Sequence, residues 1–431
     1  MKESQRQAAR AVQGVLEGRS LSVALAASGA DHAGPARSLV HELAYGTLRH
    51  YGTLDALVRR LTRKPLPDRP LAALVAVALY QLQHTKAPAF AVVDQAVAAA
   101  GDIARPAAKG LVNALLRRFL REQDALLTEV LREPVARWSH PRWWISRVRS
   151  DWPQHWESIL AAGNSRPPLA LRVNIRRTSR DRLVERFAAA GTSAQVAGEY
   201  GLVVDVPRPV SELPGFEAGE FSVQDLGAQL VPTLLHVTDG QRVLDACAAP
   251  GGKASHLLEF ADVDLTALDS DESRLARIRE NISRLKLDAA RAKIVHADAS
   301  RPQHWWDGVA FDRILADVPC TASGVVRRHP DGKWLRRQSD VATFAQRQDE
   351  ILDAVWPTLA RGGRLLYSTC SVFREENDKR VEAFMVRTPD ALRESITFGP
   401  DIAHSAGQLL PSPEGGSHNH DGFFYALLRK S

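Results

Sequence analysis

From about residue 236 the chain alternates short apolar runs with amphipathic stretches, and every run ends in a reactive or acidic side chain. "QRVLDACA" carries Asp245 and Cys247 at its end, "DLTALDS" carries Asp269, and "AKIVHAD" carries Asp298. "FDRILADVP" runs into Asp317 and Cys320, and "GRLLYSTCS" into Cys370. Such an alternation predicts a parallel sheet covered by helices on both faces, here with helices over 271–287 and 340–360 and "DGFFYALLRK" as a closing strand. In open sheets of this kind ligands bind outside the carboxyl ends of the strands. Four acids and all three cysteines are therefore expected on one rim.

A chain of 431 residues is too long for a single core. Residues 1 to about 128 predict a compact all-helical domain. "ARSLVHELAYGTLRHYGTLDALVRRL" and "AKGLVNALLRRFLRE" repeat apolar residues every three or four positions, with Pro65, Pro67 and Pro70 as punctuation. The arginine pairs 59–60 and 117–118 read as solvated helix faces. Between about 129 and 165, "RWSHPRWWISRVRSDWPQHW" holds five of the nine tryptophans, which we read as packing at a joint between domains rather than as stacking surfaces. Residues 165 to about 235 predict a small α/β unit: strands at "LALRVNI" and "LVVDV", a helix at "SRDRLVERFAAAG" ending near Gly191, and a later helix capped by Asp225.

Hydrophobic content of 45% and charged content of 25% are those of a soluble globular protein. The net charge of +6 leans toward an anionic partner such as nucleic acid. "LAALVAVALY" (71–80) is about half a membrane span, and "MKESQRQAAR" lacks the apolar core of a signal peptide, so a cytoplasmic protein is expected. Cys247, Cys320 and Cys370 contain no C-x-x-C pair, which argues against a disulfide framework or a zinc site. No metal is expected.

"CAAPGGKAS" (247–255) reads as a tight turn into a helix, where Gly251 and Gly252 let backbone N–H groups approach a ligand. It is neither a Walker A loop nor G-x-G-x-x-G. Asp269 lies 17 residues beyond Gly252, about where a second-strand acid takes the ribose hydroxyls of an adenosine, and Asp298 is suited to the adenine amino group. A glycine turn and acids at successive strand ends point to an adenosine cofactor without a pyrophosphate cradle, a description that fits S-adenosylmethionine.

"DACAAPGGKASHLLE", "LADVPCTASGVVRRHPDGKW" and "LLYSTCSVFREEN" strongly resemble the RNA cytosine-5 methyltransferase family. The helical start with "GLVNALLRRFLRE" is similar to the NusB-type domain of its bacterial RsmB/Sun (Fmu) branch. The resemblance covers nearly the whole chain. It implies an α/β fold: a Rossmann-like S-adenosylmethionine methyltransferase domain over 236–431, preceded by a NusB-like helical domain over 1–140 and a small RRM-like α/β domain over 141–235. It implies 16S rRNA as partner, free or in an early small-subunit particle, methylated in a hairpin loop of the subunit head by a monomer. It makes Cys370 the nucleophile and Cys320 the residue assisting product release, with Asp317 beside the cofactor. Cofactor contacts fall on Cys247, Ala248, Ala249, Pro250, Gly251, Gly252, Lys253, Asp269, Asp298 and Asp317.

The chemistry requires such groups. Cytosine C5 is too weak a nucleophile until a thiolate adds to C6, and the adduct must then lose its C5 proton and expel the thiol. A thiol with pKa near 8.5 is only a few per cent ionised at neutral pH. Lys253 is expected either to stabilise a thiolate or to orient the cofactor or Asp317. Asp317 is suited to the N3 and N4 edge of the base. Cys247 is expected to be structural in its side chain. After Cys320, the cations Arg327, Arg328, Lys333, Arg336 and Arg337 are expected to meet phosphates, with Trp334 as a stacking surface. Amino-group methylation is disfavoured because "DVPC" replaces D/N-P-P-Y/F, and a non-catalytic assembly factor because both thiols and the acids are intact.

Overall fold

Apolar spacing in the first third of the chain decides which faces are hidden. The helix Lys2–Leu16 buries Ala8, Ala9, Ala11, Val12 and Val15. The helix Arg69–His84 buries every residue from Ala73 to Gln81, because neighbouring helices surround it. The computed structural model describes all residues except 30–34, 63, 65, 67, 104–107, 399–403 and 414–418. Pro65 and Pro67 thus lie outside the described residues, while Pro70 occupies the first turn of its helix, where a missing N–H costs no hydrogen bond. The described residues form two units. The first is Met1–Arg166 with Val326–Gln338; the second is Pro167–Val325 with Ser339–Ser431.

The first unit is all-helical. The predicted stretch 36–61 is interrupted at His50, giving the helices Pro35–Arg49 and Tyr51–Leu61. In the tryptophan-rich segment, Trp144 is buried beside Trp143 and His140. Trp138 and Trp156 meet edge to face at 5.3 Å and stay partly exposed.

The stretch after Cys320 is not the solvent-facing basic loop that its sequence predicts. Residues 326–338 are a structural element of the helical unit, and two of its five cations face no solvent: Arg327 is 1% exposed and Lys333 0%. Lys333 Nζ donates to the Arg49 carbonyl and to Asn164 Oδ1, both at 2.7 Å. Burial pulls its pKa well down. Trp334 donates from Nε1 to the Leu48 carbonyl at 2.8 Å and meets the Tyr51 ring edge-on, so it packs as a structural ring. Asp331 accepts from the Leu21 amide at 2.9 Å. A run of cations in sequence does not reveal that a backbone carbonyl and a side-chain amide will receive one of them.

In the second unit, β1 (Leu169–Val173), β2 (Ala194–Ala197), β3 (Gly201–Val204) and β4 (Phe221–Val223) form an antiparallel sheet in the order β2-β3-β1-β4. The helix Arg180–Ala189, capped by the Ser179 hydroxyl, places Leu183 and Phe187 against Leu171, Val173, Leu202 and Phe221. Only β1 and β3 are predicted by the sequence. Asp225 does not cap the short helix Val231–Leu235; its carboxylate accepts from the amides of Gly227 and Asp421.

The larger sheet contains β5 (Arg242–Asp245), β6 (Asp264–Asp269), β7 (Ala292–His296), β8 (Phe311–Asp317), β9 (Leu359–Thr369), β10 (Ala391–Glu394), β11 (His404–Ser405), β12 (Gln408–Leu409) and β13 (Phe423–Lys430). Its order is β11-β12-β13-β9-β8-β5-β6-β7, with β10 also paired to β13. The pairs β7/β6, β6/β5, β5/β8 and β8/β9 are parallel, whereas β13 runs antiparallel to β9. Period-2 alternation sends Ile314 and Ala316 of β8 into one core with Ile351 and Phe384, and Leu315 into the opposite core with Leu257 and Ile278. The helix predicted over 340–360 is Gln338–Val355; a turn carrying Pro357 follows it, and β9 already begins at Leu359. Chain order reverses between β5 and β8, which opens the crevice used by ligands in such sheets.

One buried ion pair fixes the small sheet to this crevice. Arg172 on β1, 0% exposed, donates to both carboxylate oxygens of Glu259 at 2.6 and 2.8 Å. It also donates to Gln224 Oε1 at 2.7 Å and to the Gly252 carbonyl at 2.6 Å.

Candidate active site

β5 delivers Asp245 to the switch point, where it is 1% exposed. Neither carboxyl oxygen makes a well-aligned hydrogen bond. Burial first, then the nearby Asp317 carboxylate, push its pKa up to about 8, opposed by Lys253 and the Cys247 amide. A buried carboxyl this poorly hydrogen-bonded is costly unless a ligand supplies a donor.

The chain then turns through residues 247–251 into the helix Gly252–Phe260. Gly251 has φ +97°, and a Cβ there would lie 3.0 Å from the Ile278 Cα, so both the conformation and the approach require glycine. Asp269, at the end of β6, shapes this loop. Its Oδ2 accepts from the Ala249 amide and its Oδ1 from the Asp271 amide, each at 3.0 Å. Each oxygen keeps acceptor capacity for a hydroxyl. Asp298, beyond β7, accepts from the Ser300 amide at 2.9 Å and hydroxyl at 2.7 Å, and from Arg347. Burial would raise its pKa, but these donors outweigh it and hold the carboxyl low.

β8 ends at Asp317, whose Oδ1 sits 2.6 Å from Lys253 Nζ and accepts from the Ser368 hydroxyl at 3.0 Å. Burial works against the charge on Lys253, but Asp317 and the field of Cys370 and Asp245 overcome it and raise its pKa. The next turn brings Cys320 Sγ to 3.4 Å from Cys370 Sγ. Cys320 is 8% exposed. Hydrogen bonding with Cys370, followed by burial, pushes its thiol well above the ordinary range. Burial and the carboxylates of Asp245, Asp317 and Asp269 do the same to Cys247, which fits a structural thiol.

Both sulfur loops are held by residues the sequence did not single out. Glu376, fully buried, accepts from the Thr321 amide at 2.7 Å, the Thr321 hydroxyl at 2.5 Å and the Ser371 hydroxyl at 2.6 Å. Thr321 and Ser371 directly follow the two cysteines, so one carboxylate staples both turns. The Gly324 amide donates to the Cys370 carbonyl, and the Gly422 amide to the Gly324 carbonyl, each at 2.9 Å. "FREEN" is acid-rich in sequence, but the role of Glu376 depends on Thr321, 55 residues away.

A cavity of about 240 Å³ is lined by Asp269, Asp298, Asp317, Cys247, Cys320 and Cys370, with Ala249 from the loop. Ala248, Pro250, Gly251, Gly252, Lys253 and Asp245 are not among the residues that line it. Arg347 also lines it and was missed, since one arginine on an amphipathic helix carries no sequence signal. The residues fit an adenosine cofactor ending in a cationic amino acid: two acids with free acceptor capacity, a backbone turn, and a buried carboxyl awaiting a donor. Among the described residues, no group of three or more His, Cys, Asp or Glu side chains is placed to hold a metal ion.

Three family models match successive parts of the chain: the NusB family over residues 2–121, the Methyltr_RsmF/B-like ferredoxin-like domain over 140–211, and 16S rRNA methyltransferase RsmB/F over 232–429. The chain is 45% identical over 431 residues to the ribosomal RNA small subunit methyltransferase B of Pseudomonas putida, covering 98% of this chain and 97% of that one. It is 43% identical over 430 residues to the protein of that name from Escherichia coli, with 98% and 97% covered. Among solved structures, PH0851 matches with TM-score 0.80 at 22% identity, covering 100% of this chain and 99% of that one, which shows a shared fold. A methyltransferase homolog protein from Pyrococcus horikoshii matches with TM-score 0.59 at 26% identity, covering 69% and 97%. Full-length identity at this level, with a domain match for each part of the molecule, leads to one conclusion: the chain belongs to the 16S rRNA methyltransferase RsmB/F family.

Proposed function

We propose that this protein methylates C5 of a cytosine in 16S rRNA, in a hairpin loop of the small-subunit head, with S-adenosylmethionine as donor and a covalent Cys370–C6 adduct. The observation that carries the reading is the 3.4 Å separation of the Cys320 and Cys370 sulfurs, in a cavity shared with three strand-end acids. The names of the full-length relatives support rRNA as the substrate class. In this reading residues 1–140 and 141–235 hold RNA, 236–431 carries the chemistry, and the protein works as a cytoplasmic monomer.

Cys370, as the thiolate, bonds C6, and the ring electrons move so that C5 becomes nucleophilic. Asp317, fixed by Lys253 and Ser368, hydrogen-bonds the N3 and N4 edge and favours a protonated ring. The ammonium of Lys253 holds Asp317 and interacts electrostatically with Cys370, so orienting Asp317 and acting on the sulfur are compatible tasks for one side chain. When bound, S-adenosylmethionine supplies the electrophilic methyl group. Asp269 and Asp298 would take its ribose and adenine, the 247–253 turn would approach through its backbone, and Asp245 would accept from its ammonium. After transfer, the C5 proton leaves and the Cys370–C6 bond breaks, its electron pair returning to sulfur. Cys320, kept a neutral thiol by its raised pKa, assists that release by giving its proton to the departing Cys370 sulfur, 3.4 Å away in the structure, and recovers a proton from C5.

Two substitutions test the assignment. Cys320→Ala should accumulate a protein–RNA complex that survives denaturing electrophoresis, since attack persists while release fails. Cys370→Ala should give neither complex nor 5-methylcytosine when 16S rRNA from a complemented deletion strain is sequenced after bisulfite treatment. Wild-type methylation by Cys370→Ala would overturn the mechanism.

A further inference from the structure

The helical unit contains a second cavity, of about 330 Å³, that the chemistry above does not use. Its walls include Arg132, Arg137, Arg142, Arg149, Trp138 and Trp156, and no carboxylate lines it. The volume lies at the lower end of the range of ligand pockets. All four arginines are exposed, and the two indoles are half-buried. Arg137 stands over the Trp138 ring at 5.2 Å and Arg149 over the Trp156 ring at 5.5 Å. Among the described residues none of the four arginines makes an ion pair or a side-chain hydrogen bond.

The arrangement follows from helical spacing. Arg142 and Arg149 are seven residues apart on the helix Arg142–Asp151, so both face the pocket, with Ile145 and Ser146 between them. On the same helix Arg147 faces Asp151 at 3.3 Å. The helix thus neutralises one arginine and leaves two unpaired toward the cavity. Each guanidinium stacked on an indole keeps its N–H edge for an anion, and the rings offer a flat apolar surface. Phosphate edges combined with aromatic faces are what single-stranded nucleic acid recognises.

We propose that this pocket binds an unpaired nucleotide of the RNA substrate, with phosphates on the arginines and a base against the Trp138/Trp156 rings. The proposal rests on the reading of RNA as substrate and adds a subsite remote in sequence from the thiol chemistry.

The test uses the full chain and a short fluorescein-labelled single-stranded oligoribonucleotide, titrated by anisotropy over a range of KCl concentrations. Arg137→Gln/Arg142→Gln/Arg149→Gln should weaken binding about tenfold or more and make the slope of log K against log salt shallower by about two, since each lost phosphate contact on a single strand removes about 0.7. Ser146→Glu, which puts a negative charge on the pocket wall from an exposed position, should weaken binding in the same direction. Unchanged calorimetric binding of S-adenosylhomocysteine by both variants reports an intact fold. Wild-type affinity and salt slope in both variants would overturn the proposal. So would intact RNA binding with lost association to small-subunit proteins, which would make the pocket a protein site. Neither result touches the Cys370 adduct experiment, so the two readings fail separately.

Discussion

Asp245 is held protonated by its surroundings and ready to ionise. Its folded pKa of about 8 stands well above the usual carboxyl value of about 4. Between those values the unfolded chain releases the proton and the folded chain keeps it, so stability falls as pH rises from about 4 to about 8. At pH 7 the cost is on the order of 4 kcal/mol. Asp245→Asn should therefore melt several degrees above the parent at pH 7.5, with the difference vanishing near pH 4. The same variant should bind S-adenosylhomocysteine at least tenfold more weakly, because its amide no longer meets an ammonium as an anion does. Differential scanning calorimetry across pH and isothermal titration check the two halves. A melting difference independent of pH would mean that Asp245 is ionised in the folded state.

Among the elements, the contact between the turn after β8 and the start of β13 sets the thiol geometry. A Cβ on Gly422 would lie 2.8 Å from the Gly324 Cα and 2.8 Å from Val372 Cγ1, a distance at which backbone must move. Gly422→Ala should cut methyl transfer by about tenfold or more through displacement of the Cys320 turn, while leaving S-adenosylhomocysteine binding near wild type. A single-turnover assay paired with calorimetry separates the two effects. Neither glycine announces itself in sequence, because each matters only through the other. The central strands were legible for the opposite reason: β5, β6, β8 and β9 are apolar runs with a chemical residue at the end, a pattern contained within each segment. The strands that escaped notice, β2, β4 and β10–β12, are two to four residues long, and β2 leaves Gln195 and Val196 exposed, so no periodicity marks them. The acids and thiols could be read as one rim because the fold rule gathers strand ends. Glu376 and Arg347 could not, since their partners are set by tertiary packing. Lys333 misled because its charge was visible and its burial was not.

In the whole molecule, the amino-terminal unit is not continuous in sequence. Val326–Gln338 supplies it with the Lys333 hydrogen bonds, the Trp334–Tyr51 ring contact and the Asp331–Leu21 contact. A fragment spanning residues 1–166 lacks all of these. It should melt several degrees below the same unit in the full chain, at about 2–4 °C for each kcal/mol lost. A synthetic peptide of residues 326–338, added well above its dissociation constant, should recover part of the difference by mass action. Circular dichroism melts of the fragment with and without peptide give the answer, and a fragment as stable as the full chain would show the insertion to be dispensable.

Protein synthesis runs in one direction, and this insertion arrives late. At about 5–20 residues per second, the ribosome needs roughly ten to thirty seconds to travel from Arg166 to Val326. Throughout that interval the nascent helices present an unfilled seat for Trp334 and Lys333. The first unit to emerge is thus among the last to be completed, and a chaperone has its longest opportunity on surface that the finished enzyme conceals.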